Sequence, residues 1–141
     1  MLQPKKPKYR KQMTRASRLR GKETRGCKLT FGDYGLQAIE PGWIGAREIE
    51  AGRIAIARKA KRSGTIWIKI FPDKPLTSKP AEVRMGKGKG APTGWVAEVR
   101  AGRIMYELTG VDRATARRAL ELAAAKMSVR CKIVERSDYL L

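Results

Sequence analysis

Residues 84–90 read Arg84-Met85-Gly86-Lys87-Gly88-Lys89-Gly90, a glycine at every second position with cations between them. Three glycines in five residues bury no side chain and tolerate almost any backbone angle, so this stretch holds neither a packed helix nor a packed strand. It is a loop. It offers exposed amides and the three charges of Arg84, Lys87 and Lys89, which suit a phosphate backbone far better than a protein core.

The same sign runs through the whole chain. Against 32 Lys and Arg stand 13 Asp and Glu, a net charge of +19 over 141 residues. A fold so far from neutrality repels itself unless something negative compensates it, and nucleic acid is the obvious counterion. No apolar run approaches the roughly 20 residues that span a membrane, and no lipidation signal opens or closes the chain, so no membrane partner is expected. A hydrophobic content of 42% and this length suit one domain with a modest core.

Catalytic chemistry finds little support. Cys27 and Cys131 are too few and too far apart for a zinc site or a disulfide framework, and the chain has no histidine, the usual general base and metal ligand. The acids Asp33, Asp73, Glu82 and Asp112 are scattered and read as turn caps and ion-pair partners. The glycine loop lacks the spacer and the Ser or Thr of a P-loop, and Pro92 with a strand follows where a dinucleotide site needs a helix. The chain is therefore not expected to be an enzyme, and no catalytic residue, metal, cofactor or small-molecule substrate is expected.

Residues 1–26 carry +9, with Lys5, Lys6, Lys8, Arg10, Lys11, Arg15, Arg18 and Arg20 among their cations and Glu23 as the one acid. Such a segment buries too little apolar area to fold alone and is expected to order against a partner. An Arg-rich, acid-poor start also describes a transit peptide, but Pro4, Pro7 and a dense Lys block fit an amphipathic targeting helix poorly. From residue 27 to 141 a single α/β domain of the α+β kind is expected, with loop 84–94 extended from it.

Within the domain, Leu29-Thr30-Phe31 and Leu36 to Ile39 flank Gly32 to Gly35 as a hairpin or bent strand pair, and Pro41-Gly42 breaks the chain. A helix is predicted from about Ala46 to Arg62, with Glu48 and Glu50 in its first turn, Lys59, Lys61 and Arg62 in its last, and Gly64 as its stop. At 100° per residue Ile49, Gly52, Ile56 and Ala60 share one face, while Arg47, Arg58, Lys61 and Arg62 share another with Arg53 at the border. A solvated basic face is the plain alternative; in a +19 chain contact with phosphate is favoured, and Ile54 within the basic side fits a contact surface.

Thr65 to Phe71 alternates as a strand, ended by Pro72-Asp73-Lys74-Pro75. A short strand over Pro80 to Met85, a strand pair Trp95–Arg100 and Arg103–Leu108 around Ala101-Gly102, and a last strand Val129–Val134 complete a mixed sheet. Asp112 caps a second helix whose Ala116, Ala119, Leu120, Ala123 and Met127 make a face able to lie close on that sheet. Trp67, Trp95 and Tyr106 read as core residues before base-stacking ones.

Laid out in this way, the chain resembles the bacterial and organellar form of large-subunit ribosomal protein L sixteen from end to end. The resemblance rests on Met1-Leu2-Gln3-Pro4-Lys5-Lys6 with Lys8-Tyr9-Arg10-Lys11, on Phe31-Gly32-Asp33-Tyr34-Gly35-Leu36, on Ile49-Glu50-Ala51, on Ile70-Phe71-Pro72-Asp73-Lys74-Pro75 and on the Arg84 to Gly90 loop, in the family's order. The family's own opening at Met1 weakens the transit-peptide reading. The resemblance implies a hammerhead-type fold in the ribosome of a bacterium, plastid or mitochondrion. It also implies partners: large-subunit rRNA, tRNA at the aminoacyl and peptidyl sites, and neighbouring ribosomal proteins.

It assigns rRNA contacts to Lys5, Lys6, Lys8, Arg10, Lys11, Arg15, Arg18 and Arg20. The tRNA site falls to Arg53, Arg58, Lys61 and Arg62 on the helix and to Arg84, Met85, Lys87 and Lys89 on the loop, while peptide-bond chemistry stays with the RNA. The chain departs from the family's pattern at Ile54, where many members carry Arg, at Thr93-Gly94 before Trp95, and at Ser128, where a proline usually follows the second helix. A free-standing RNA-binding or RNA-chaperone module is the alternative, which purification outside the large-subunit fraction would reveal.

Overall fold

The computed structural model describes residues 1–139; Leu140 and Leu141, the end of the expected 27–141 domain, lie outside the described residues. Seven strands and two α-helices follow in the order β1 (Tyr34–Ala38), β2 (Gly42–Gly45), α1 (Ala46–Lys59), β3 (Thr65–Ile68), β4 (Lys74–Ser78), β5 (Ala91–Val99), β6 (Ile104–Thr109), α2 (Arg113–Ala124) and β7 (Cys131–Glu135), with 3-10 turns at Ala16–Leu19 and Arg136–Tyr139. The architecture is α+β with two helices, as expected. The strands divide, however, into a four-stranded sheet in the order β3-β6-β1-β7 and a three-stranded sheet in the order β2-β5-β4, with every strand pair antiparallel.

That division corrects several expectations. Val99 and Ile104 lead into different sheets, so Trp95–Arg100 and Arg103–Leu108 are not a pair; the Ala101-Gly102 corner instead carries the chain from one sheet to the other. Residues 29–31 form no strand, and β1 pairs with β6 and β7 rather than with them. Pro80–Met85 is turn and bend rather than strand. The strand leading to the loop is β4, which begins inside Pro72-Asp73-Lys74-Pro75. Proline is tolerated there because β4 lies at the edge of its sheet, where an N–H facing outward has no ladder partner to lose. The loop therefore runs from residue 79 to 90, and residues 91–94 belong to β5.

Both helices pack against one face of the four-stranded sheet, where Leu36, Tyr106 and Leu108 meet Ile49, Ile56, Ala116, Ala119, Leu120 and Ala123. The α2 cap is as predicted: the Asp112 carboxylate accepts from Thr115 N–H at 3.0 Å, and hydrogen bonding from the Thr115 side chain, then from its backbone, holds the carboxyl below the usual range. Helix α1 approaches the sheet at Gly52, where a β-carbon would fall 2.5 Å from the Tyr106 hydroxyl and 2.9 Å from Met127. The missing side chain lets the buried Tyr106 hydroxyl donate to the Ile49 carbonyl at 2.6 Å.

The other face of this sheet is covered without a helix. Residues 24–32 run across it, held by side chains that reach their backbone. Gln37 Nε2 donates to the carbonyls of Cys27 at 3.3 Å and Gly102 at 2.7 Å. Arg103 donates to Arg25 at 3.0 Å and to Lys69 at 2.8 Å. Glu107, fully buried in β6, accepts from the amides of Thr30, Phe31 and Gly32 at 3.0, 2.6 and 2.8 Å. A buried carboxylate is costly unless hydrogen-bonded, and three amides with Lys69 at 3.9 Å satisfy this one.

Candidate nucleic-acid interface

The basic residues singled out in the sequence form two groups. The first stands at the end of α1, which stops at Lys59 rather than Arg62. Lys61 and Arg62 take left-handed φ angles of 52° and 61°, and Arg62 N–H reaches back to the Ala57 carbonyl at 3.0 Å while Ser63 N–H bonds Ala60 at 2.9 Å. This closing geometry turns the chain sharply and bends Lys61 and Arg62 back beside Arg58. Together with Arg53, Ile54 and Ala57 they line a recess of about 390 Å³.

Charge is unevenly compensated there. Arg53 Nε donates to both Glu50 oxygens, at 3.2 and 3.1 Å, and this bonding holds the Glu50 carboxyl below its usual range against the opposing push of burial. Arg58, Lys61 and Arg62 make no ion pair or side-chain hydrogen bond among the described residues, and all three are exposed. Three cations without side-chain partners, on a helix whose far face is core, give this end of the molecule a concentrated positive charge that outweighs the helix dipole's negative end. Ile54 is half-buried in the recess wall, so its side chain carries apolar contact where an arginine would carry charge.

The second group is the N-terminal segment and the loop, and its cations are used differently. Lys11 Nζ donates to the Lys89 carbonyl at 3.4 Å, and Lys89 Nζ returns to the Gln12 carbonyl at 2.6 Å. Lys74 Nζ bonds the Met13 carbonyl at 3.1 Å and Glu98 at 3.0 Å, Arg100 bonds the Arg18 carbonyl at 2.9 Å, and Lys79 Nζ bonds the Gly86 carbonyl. The loop and the segment 10–13 are thus linked by lysines that grip backbone oxygens. Gly86, Lys87 and Gly88 have φ of 97°, 58° and 105°, a left-handed run, and all three are exposed. Arg84 and Lys87 are exposed with no partner among the described residues, and Met85 is 88% exposed beside them.

Lys5, Lys6, Lys8, Arg10, Arg15 and Arg20 are exposed as well, and Arg18 lies 3.9 Å from Glu98. Tyr106 is core and Trp67 stacks on Phe31, with centroids 5.8 Å apart. Sequence reasoning missed the lysine-to-carbonyl links and the buried role of Glu107. The only signal for the latter was a lone acid in the apolar run Ile104-Met105-Tyr106-Glu107-Leu108. Burial pushes the Cys131 thiol up to about 11. Among the described residues no three His, Cys, Asp or Glu side chains form a metal-holding cluster, and no helix is long and apolar enough to cross a membrane.

An α+β domain with a net charge of +19 that leaves Arg58, Lys61 and Arg62 on a helix end and Arg84 and Lys87 on a loop without side-chain partners among the described residues defines a strongly basic protein. The chain matches the family Ribosomal protein L16p/L10e over residues 4–134 and belongs to it. Its role is thereby that of a structural, RNA-binding constituent of the large ribosomal subunit, and its place is the ribosome.

Proposed function

We propose that the chain binds large-subunit rRNA through Lys5, Lys6, Lys8, Arg10, Lys11, Arg15, Arg18 and Arg20. In this reading Arg58, Lys61 and Arg62 with Arg53, and the loop residues Arg84, Met85, Lys87 and Lys89, face tRNA in the aminoacyl site, in a ribosome of bacterial or organellar type. One observation carries it: Arg58, Lys61 and Arg62 converge, without partners, on a recess held by a packed helix. The helix that carries these charges is already packed, so binding phosphate orders only their side chains and not the backbone beneath. The protein positions RNA, and the chemistry is the RNA's.

The test is made on purified large subunits that carry R58A/R62A at full occupancy. Aminoacyl-tRNA binding is expected to weaken about ten- to a hundredfold, as for two lost charged contacts, while subunit assembly holds. Unchanged tRNA binding would assign the recess to rRNA alone and remove the tRNA part of this reading.

A further inference from the structure

The turn at residues 30–32 is anchored more heavily than a surface turn requires. Three of its amides are gripped by the Glu107 carboxylate. Two of its carbonyls, those of Thr30 and Gly32, accept from Arg136 Nη2 at 3.3 and 2.8 Å. Arg136 is itself braced by Asp33, with Nε 3.6 Å from the carboxylate and its own N–H donating to the Asp33 carbonyl at 2.8 Å. Five backbone groups bonded by two charged side chains leave this turn little freedom.

What the turn presents is Phe31, and Phe31 is 56% exposed. The ring rests on Trp67, with an angle of 26° between the planes, and the Lys69 ammonium lies 4.4 Å from its centroid. A phenylalanine placed for stability is buried; here an over-determined backbone keeps one in solvent, backed by a second aromatic. Lys28, exposed and without a partner among the described residues, and Arg136 belong to the same surface segment and the strand end beside it. A protein-binding core is depleted of lysine and wider than one ring. A single rigid ring flanked by the unpaired Lys28, with Lys69 and Arg136 paired to Glu107 and Asp33, matches one unstacked base and its phosphate.

We infer that Phe31, supported by Trp67, is a stacking platform for an unpaired base of large-subunit rRNA. The site is separate from the α1 recess and the glycine loop, and it rests on the rRNA-binding reading above. Stacking is sequence-tolerant, so the platform adds affinity and holds one nucleotide out of its helix without reading its identity.

The full chain is rebound to salt-stripped large-subunit cores that lack it, across a range of salt concentrations. F31L, which keeps an apolar side chain, and F31A are expected to bind about five- to a hundredfold more weakly, the usual range for losing one base–aromatic stack. F31Y should bind within about twofold of wild type. All variants should keep the wild-type slope of log affinity against log salt, because no phosphate contact is lost. A photo-crosslinking benzophenone analogue at position 31 should attach to a single nucleotide.

Wild-type affinity in F31L, or attachment of the crosslinker to a neighbouring protein, would overturn the platform while steep salt dependence of the wild type left rRNA binding intact. A wild-type chain that rebinds with no salt dependence would overturn both readings.

Discussion

One face of the four-stranded sheet is covered by helices and the other by the irregular segment 24–32, and the two covers are held in different ways. A helix satisfies its own backbone, so α1 and α2 need only present Ile49, Ile56, Ala119 and Leu120 to the sheet. An irregular cover brings unpaired amides and carbonyls inward, and buried polar side chains must meet them. Glu107 and Gln37 do so from the strands beneath. The apolar face then carries the cationic end of α1 as a rigid unit, while the polar face holds up Phe31.

The largest effect that would separate the two covers is at Glu107. Glu107→Ala strands three amides and is expected to cost about 3–5 kcal/mol, in the range for breaking a buried charged network, read by denaturant unfolding. Amide exchange should quicken first at Thr30 to Gly32. A loss below about 1 kcal/mol would mean that the cover holds by apolar contact, like the helical one.

On the helical face the corresponding break is Gly52→Val, which drives a side chain into Tyr106 and Met127. Overpacking of this kind costs about 1–3 kcal/mol, and exchange at residues 30–32 should be unmoved. Equal loosening of both faces would show that the covers are one cooperative unit.

The helices were legible in the sequence because their period separates small and apolar residues from charged ones, and the Asp112 cap marked where α2 starts. Strand β4 was hidden by Pro75, whose place at a sheet edge is a tertiary fact, and β2 by its brevity between glycines. The cations were legible as charge but not as partners. Lys89 and Gln12 lie 77 residues apart, and Lys74 and Met13 lie 61 apart, and no local pattern announces a lysine bound to a distant carbonyl. Ser128 was legible only as a departure from proline. In the fold its N–H and hydroxyl both donate to Glu48, at 3.3 and 3.0 Å, a link between α1 and the approach to β7 whose N–H half a proline would remove.

Smaller effects sharpen the functional side of the comparison. R58A/R62A should leave the unfolding free energy within about 0.5 kcal/mol of wild type, as for surface changes. The slope of log affinity against log salt for RNA binding should fall by about 1.4–1.8 in magnitude, at 0.7–0.9 per lost phosphate contact. A fall in stability of more than about 1 kcal/mol would place these arginines in the scaffold instead. Smallest of all is the contrast between Lys87→Ala and Lys89→Ala. Each should reduce the slope by about 0.7–0.9 at most. Lys89→Ala alone should speed proteolytic cleavage near residues 10–13, because Lys89 holds the Gln12 carbonyl. Equal cleavage in both variants would show that the loop does not hold the N-terminal segment.

The lysines that grip carbonyls have a consequence for the molecule before it meets RNA. A carbonyl oxygen accepts a hydrogen bond but carries no net charge, so Lys11 and Lys89 remain mutually repelling cations even while they tie loop to segment. Added salt screens that repulsion and also competes with phosphate. The free chain should therefore gain thermal stability as salt rises over the same range in which its complex with RNA loosens. Before any RNA is bound, the fold carries its whole net charge of +19 with only dissolved ions to offset it.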